Sequence, residues 1–595
     1  MTKKYKVTDA IADLLAKNGV RVVFGVSGGA ALHIMHSINK NSLTELVTTH
    51  HEQAAAMAAD SVGRITNNFG VAISTSGPGA TNLITGIAGC FYDSVPVVFI
   101  TGQVSTTRLS GNSGVRQMGF QETPVVEIVK SITKYAVQIH RPEQIISELQ
   151  KCIQIATTGR KGPTLIDIPD DIQRMEIEIP GDFSELPTVD SIKEVFPVIS
   201  DYEWNLLQDL VKNATRPVVV LGWGVHLAGR ESAVREFLDK LRWPVVLTWG
   251  AADILDSTVP YRVGTFGTHG TRDANFTVQN ADLILSIGSR LDTKSTGSPV
   301  KSFARGAKKI MVDLDLAELT KFEQLNWNID LPLLMDLTSI QFSLMLKKIL
   351  EVSSTPNDFW AGVITRYRKE LARKPDRSID GQIDPYEFIR VVSTACNPKT
   401  RIFLDTGCTV AWACQEWIFK KDQRIFHDFN NTAMGWALPA AIGSLYIKDE
   451  YETIALIGDG SFMMSIQELS TLKAAKKPLK IFLLNNSGYS MIKQTQDQWF
   501  SSEYFASNAD STMFFPNYKA ICIAFGLNYQ KISTQADLFT GVLNVMNENE
   551  STLCEVIIPS EARVNPQVKF GSPIEGMDPP LGFETFKSLM IIDPL

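Results

Sequence analysis

The sharpest chemistry in this chain sits in G-D-G-S at 458–461 and in the pair Asn485-Asn486. The apolar run 453–457 reads as a strand, and Gly458 and Gly460 permit a tight turn into a helix beginning near Ser461. Such a turn presents backbone N–H groups and a helix N-terminus, which together suit a phosphate. A second apolar strand, 479–485, ends at the Asn pair and places Asn486 27 residues after Asp459. Neighbouring parallel strands would bring both side chains to one sheet edge. A carboxylate, an amide oxygen, a backbone carbonyl and two phosphate oxygens then make an octahedral Mg2+ site. G-D-G alone is often only a turn and N-N only a strand end. The spacing between them argues for a shared site.

The elements that must position these residues form a repeated pattern. Short β-branched runs at 22–26, 46–49, 71–74, 97–102 and 163–168 lead into Gly-rich turns and helical segments. The same holds for 217–221, 244–248, 283–287 and 309–313, and again for 401–404, 453–457, 479–485 and 553–558. This predicts an α/β chain of three doubly wound parallel-sheet domains. The polar, Pro-bearing stretch 180–200 reads as a linker, and a second break falls at 351–362 with the charged stretch 366–380 behind it. The expected domains are 1–180, 195–350 and 375–560, with a tail at 561–595 of little strand or helix pattern. The N-terminus, MTKKYKVTDAIADLL, reads as an amphipathic helix.

Composition excludes several classes. A length of 595 residues exceeds one ordinary core and suggests about three or four domains. With 44% hydrophobic and 20% charged residues the chain is of soluble globular type. A net charge of −7 and no Lys/Arg run longer than a pair argue against a nucleic-acid partner. Seven Cys without a C-x-x-C fit a reducing compartment and argue against a zinc site. No apolar run is long enough for a membrane span and no signal peptide is legible, so a cytoplasmic protein is expected.

The G-D-G…N-N segment resembles the diphosphate-and-metal motif of thiamine diphosphate (ThDP) enzymes. The resemblance extends through VFGVSGGA (23–30), HHEQAAAMAAD (50–60), the segment 75–103, GFQE (119–122), KGPTLIDIP (161–169) and NTAMGWALPAAIG (431–443). Together, and in this order, these are similar to the acetohydroxyacid synthase (acetolactate synthase) family. The likeness implies metal ligation by Asp459, Asn486 and the carbonyl of Gly488. It implies that Glu52 hydrogen-bonds the cofactor's pyrimidine ring and favours the tautomer that acts as base, a relay of general acid–base catalysis. The apolar AAAMAA after Glu52 is itself unlike a surface helix. Met434 would prop the two cofactor rings into a bent shape, and Gly28 and Gly29 would leave space and donors over the reactive carbon. Phe120 and Gln121 would close the site from a neighbouring loop. Pro78, Asn82, Gly407, Thr409, Gly460 and Ser461 complete the implied ThDP contacts. In this family the Glu reaches cofactor held by another subunit, which implies a homodimer or homotetramer.

In the middle third, residues 264–293 and VDLD (312–315) resemble the FAD-binding domain of the same synthases. The strand-to-glycine segment 217–224 could take a pyrophosphate. The implied FAD contacts are Gly222, Gly224, Gly267, His269, Gly270, Arg290 and Asp313. The alternative is a Gly-rich domain that binds nothing.

Three positions at the acceptor end depart from the synthase pattern. Lys294 stands for an Arg, Thr495 for a Trp and Thr268 for a Met. Lys attracts a carboxylate as a point charge without a bidentate fork. Cys408-Thr409 replace a Gln-His pair, and Asp170 replaces a Lys. The favoured reading is a pyruvate-decarboxylating carboligase whose acceptor is a nucleotide-activated keto-sugar, as in branched deoxysugar biosynthesis. An acetolactate synthase with small-molecule keto-acid substrates stays open. So does a non-catalytic scaffold paralogue, although such proteins usually lose the Glu or the metal ligands, and both are present here.

Overall fold

The computed structural model describes residues 2–180, 196–354, 357–373, 381–509, 511 and 513–595. Its framework is three six-stranded sheets, every pairing within them parallel. The first runs Glu45–Thr48, Val22–Gly25, Gly70–Ser74, Val97–Gln103, Pro163–Pro169, Tyr135–Gln138. The third runs Arg424–Phe426, Thr400–Leu404, Glu452–Gly458, Lys480–Asn485, Thr552–Ile557, Asn528–Ile532. In both, the strands lie in the order second, first, third, fourth, sixth, fifth. The middle sheet instead runs Arg262–Thr265, Val245–Leu247, Pro217–Leu221, Leu283–Ile287, Lys308–Asp313, Leu331–Leu334, the doubly wound dinucleotide-binding order. The inner strands are buried on both faces, so their sequences are continuous apolar runs rather than alternating ones.

Five strands lie outside the runs read from sequence: Tyr135–Gln138, Arg262–Thr265, Leu331–Leu334, Arg424–Phe426 and Asn528–Ile532. All five are sheet edges. An edge strand has one neighbour and is short or polar by necessity. The N-terminus is also corrected. Thr2–Lys6 is a strand paired antiparallel with Glu176–Pro180, and the helix begins only at Val7. The helix expected near Ser461 is Asp459–Phe462, so Asp459 lies inside its first turn. The charged stretch after 366 continues the helix Asp358–Glu370, whose Trp360, Ile364 and Tyr367 are buried on one face. The expected linker lies mostly outside the described residues, as does 374–380.

The tail is more structured than its sequence suggests. Gln567–Val568 and Met577–Asp578 pair antiparallel, and Phe583–Leu589 is a helix. Its Val568, Ile574, Met577 and Leu589 are buried in the core of the middle domain. Asn275 Nδ2 donates to the Ile574 carbonyl (2.8 Å), and Glu575 accepts from Gln279 (2.5 Å) and Arg305 (2.7 Å). Contacts to a different domain need no internal periodicity, which hid these elements.

Middle and third domains meet at a buried ionic joint. The ring nitrogens of His226 lie 2.7 Å from Glu231 and 2.7 Å from Asp253. Asp253 also accepts from Arg424 Nε (3.1 Å) and the Ile425 N–H (3.0 Å). Burial alone would raise the Asp253 carboxyl, but His226, Arg424 and the Ile425 N–H outweigh it and hold it down at about 2. A depressed carboxyl contributes stability above its unfolded value near 4, lost as pH falls through about 2. D253N is therefore expected to lower the melting temperature at pH 7 and to leave a smaller difference from wild type below about pH 3. Scanning calorimetry across pH 2–7 measures this; a pH-independent difference would refute it.

Candidate active site

The third-domain half is built at the ends of two adjacent strands. Glu452–Gly458 and Lys480–Asn485 pair in parallel with Gly458 opposite Leu484, so both chains turn at one edge. Asp459, 1% exposed, accepts from the N–H of Gly460 (2.8 Å), Asn486 (3.1 Å) and Gly488 (3.3 Å). Burial pushes its carboxyl up to about 7 against the pull of those N–H groups. Asn486 Nδ2 donates to Ser490 Oγ (2.5 Å), while its buried Oδ1 has no hydrogen-bond partner in the protein. A desolvated carboxylate beside an orphaned amide oxygen fits a hard cation with oxygen ligands. Among the described residues there is no group of three or more His, Cys, Asp or Glu side chains that could hold a metal ion. A set of one carboxylate, one amide and one carbonyl needs none.

Asp405 organises the remainder of this half. It follows the strand Thr400–Leu404 and accepts from the N–H of Thr406 (2.9 Å), Gly435 (3.1 Å) and Ala437 (2.9 Å). It thereby fixes the turn that carries Met434 and the entry to helix Cys408–Glu416, where Gly407 has φ +88° and Thr409 follows. Gly435, at φ +82°, packs against Met464 and the Ser461 carbonyl, which brings Met434 and Ser461 together. At Gly460 a Cβ would fall 1.9 Å from the Tyr489 ring, so glycine is required there.

The first-domain half centres on Glu52. It opens helix Glu52–Thr66, is 8% exposed, and accepts from Asn82 Nδ2 (2.9 Å). His51 caps that helix, its Nδ1 accepting from the Gln53 N–H (3.0 Å). A Cβ at Gly79 would lie 3.1 Å from Glu52 Oε1, and one at Gly28 would overlap the Thr75 side chain. Nothing lies within 4 Å of such an atom at Gly29, which leaves open space there. Gly77, at φ +64° before Pro78, abuts Gln121, itself at φ 65°. Asn82 and Gly79 thus lie against Glu52, while Gly28 and Gly79 both meet Thr75, and Gln121 meets the Gly77 turn that leads into Pro78. Phe120 is 85% exposed.

Within one chain the halves are joined away from Glu52. Helix Glu52–Thr66 packs on Ala437–Ser444, with Trp436 Nε1 donating to Asp60 (2.7 Å) and Arg64 bridging Asp60 (2.9 Å) and Asp93 (2.8 Å). The His50 N–H donates to Glu468 (3.1 Å). Among the described residues no hydrogen bond links Glu52 to the Asp459 turn.

A cavity of about 1120 Å³ opens where the middle sheet reverses direction, between Pro217–Leu221 and Leu283–Ile287. This is the position at which doubly wound sheets bind ligands. Gly222, Gly224, His269, Arg290 and Asp313 line it. A Cβ at Gly222 would lie 2.3 Å from the Gly288 carbonyl, so the two strand ends cross in close contact. Burial raises Asp313 to about 6, and burial with the Lys294 charge lowers His269 to about 4. Gly267 and Gly270 do not line the cavity. They pack against the Lys294 carbonyl and Phe266, Gly267 at φ +114°, and so shape the turn instead.

Thr268 and Lys294 meet, the Thr268 N–H donating to the Lys294 carbonyl (2.8 Å). Lys294 lines the cavity with its ammonium 4.1 Å from the Trp249 ring centroid. Thr495 is the third residue expected at the acceptor end. It is exposed on helix Ser490–Trp499, its hydroxyl donating to the Met491 carbonyl (3.1 Å).

Comparison with known proteins agrees with this geometry. Three family profiles match in order: the thiamine pyrophosphate enzyme N-terminal TPP binding domain at residues 5–128, the central domain at 205–341, and the C-terminal TPP binding domain at 405–556. The chain belongs to the thiamine diphosphate enzymes. Acetolactate synthase 2, chloroplastic, of Nicotiana tabacum is 31% identical over 581 residues, covering 95% of this chain and 84% of the relative. The acetolactate synthase isozyme 2 large subunit of Escherichia coli (strain K12) is 31% identical over 564 residues, covering 94% and 97%. The acetolactate synthase large subunit of Lactococcus lactis subsp. lactis (strain IL1403) is 30% identical over 564 residues, 94% of each chain. This thiamine diphosphate enzyme is a carbon–carbon bond-forming one.

Sequence reasoning missed two residues of this ThDP enzyme's site. Asp405 carried a usable signal, since it directly follows a strand and precedes Thr-Gly. Trp249 carried none beyond its place after a strand.

Proposed function

We propose that this enzyme decarboxylates pyruvate and transfers the resulting two-carbon unit to a carbonyl acceptor that is a nucleotide-activated keto-sugar. ThDP, when bound, supplies the carbon acid and electron sink for that chemistry. Asp459, Asn486 and the Gly488 carbonyl would hold Mg2+, and Gly407, Thr409, Gly460 and Ser461 would hold the diphosphate. Glu52, shielded from water and oriented by Asn82, holds the proton at the pyrimidine nitrogen. Gly28, Gly29, Gln121 and Phe120 shape the space above. FAD would occupy the switch-point cavity in a structural role, because the reaction has no net redox step. The exposed Phe120 supports closure of the site against a second copy, in a dimer or tetramer.

The observation that carries the acceptor reading is the Lys294 ammonium. It lines the cavity over Trp249 and has no carboxylate within ion-pair distance among the described residues. A cation so placed suits an anionic acceptor, and the exposed Thr495 leaves room for a larger one than a keto acid. The names of the relatives favour a second reading, acetolactate synthesis. Labelled pyruvate incubated with nucleotide keto-sugars or with 2-keto acids separates the two, the product being identified by mass. Acetolactate as the sole efficient product would end the sugar reading. K294Q is expected to raise the acceptor KM about tenfold or more while carbon dioxide release from pyruvate alone is kept. An unchanged KM would remove Lys294 from the acceptor wall. The purified protein should be yellow and release flavin on denaturation; a colourless, active enzyme would exclude FAD.

A further inference from the structure

A second cavity, of about 470 Å³, lies between the edge of the middle sheet, helix Cys408–Glu416 and the tail. It shares no lining residue with the switch-point cavity and contains none of the residues gathered at Glu52 or Asp459. Four guanidinium groups line it: Arg262 on the edge strand, Arg272 at the start of helix Arg272–Gln279, Arg368 on helix Asp358–Glu370, and Arg373.

The charge on its wall is not balanced. Three carboxylates share the lining: Asp273, Glu370 and Glu416. Glu370 pairs with Arg366 (2.9 Å), and Glu416 pairs with Arg390 and faces Arg373 (3.7 Å). Asp273 accepts from the Ala274 N–H (2.9 Å). Arg262, Arg272 and Arg368 have no carboxylate within ion-pair distance among the described residues. Each donates to carbonyls instead: Arg262 to Ala252 (3.3 Å), Arg272 to Pro579, Arg368 to Pro260 (2.7 Å) and Arg262 (2.6 Å). Those bonds leave Nε of Arg262 and Nη1 of Arg272 buried with no partner. Burial lowers the pKa of all three, Arg262 to about 10.

The counter-charges of these three arginines, Asp273 for Arg262 and Arg368 and Asp578 for Arg272, act only from beyond ion-pair distance, and desolvated cations left without a bonded carboxylate are costly. A guanidinium presents a planar fork of donors that matches two oxygens of a phosphate. The remaining wall, Leu371, Trp417, Pro580 and Leu581, offers apolar surface to an organic body. We propose that this cavity binds a phosphate-bearing small molecule through Arg262, Arg272 and Arg368. The shared chemistry is a phosphate dianion, whether free or carried by a nucleotide.

The test uses holoenzyme saturated with ThDP, Mg2+ and flavin, so that the cofactor phosphate sites are filled, and then dialysed into phosphate-free buffer. Equilibrium dialysis with labelled inorganic phosphate, and separately with labelled ADP, should show one site per chain. R272Q and R368Q should each weaken that site at least tenfold while carbon dioxide release from pyruvate stays at the wild-type rate. Tighter binding of ADP than of phosphate assigns the site to nucleotides, and equal binding assigns it to the free anion. Phosphate or ADP should raise the melting temperature of wild type but not of the variants. The proposal fails if wild type binds neither probe, or if both variants bind as wild type does. It fails equally if the variants melt several degrees lower without anion while wild type shows no anion-dependent shift, which is the behaviour of purely structural arginines.

Discussion

The E52Q enzyme is expected to fold and bind Mg2+ and cofactor, yet turn over about 10²–10⁴-fold more slowly, the usual worth of a positioned acid–base group. The carboxylate accepts from Asn82 Nδ2 and is 8% exposed, so an amide of the same shape keeps the packing and loses the charge. The discriminating readout is proton exchange at the reactive carbon of bound ThDP, followed by NMR after acid quench. Slowed exchange with an unchanged melting temperature assigns Glu52 to the proton relay. Exchange at the wild-type rate would remove it from that role.

Second in size is D459A. Even groups that merely orient a metal's ligands are worth about 10–100-fold in affinity, so loss of the carboxylate itself should cost at least about 100-fold in Mg2+-dependent ThDP binding. Quenching of intrinsic fluorescence during cofactor titration, at several Mg2+ concentrations, measures this. If D459A bound ThDP with wild-type Mg2+ dependence, the metal would have to sit elsewhere.

How much of this was legible in sequence depended on burial. The inner strands declared themselves because both faces are covered and most residues are apolar. The edge Asn528–Ile532, unburied at four of its five positions, did not, and neither did Arg262–Thr265, which is mostly buried but carries an Arg, a Gly and a Thr. The two halves of the site were legible because each rests on a local device, a strand running into a glycine turn or a capped helix. Glu52 and Asp459 both follow that rule. The withdrawal of Gly267 and Gly270 from the cavity wall depends on how distant segments pack, and no spacing in the chain encodes that. The arginine cavity was illegible for the same reason. Its cations come from positions 262, 272 and 368 and form no basic run, although a basic run is what a sequence reader looks for.

The tail's return to the middle domain changes what kind of object this chain is. Asn275 and the Ile574 carbonyl close a loop 299 residues long around the whole third domain. Closure entropy grows only with the logarithm of length, so so long a circuit costs little more than a short one. The middle domain is therefore moored at both its exit and the chain's far end, and it cannot swing open on a single hinge. The Val568 N–H, which donates to the Thr268 carbonyl (2.8 Å), ties that mooring to the turn that also bonds Lys294. A cut within the tail is therefore expected to loosen the middle domain's turn at Thr268, far away in sequence, as well as the tail itself.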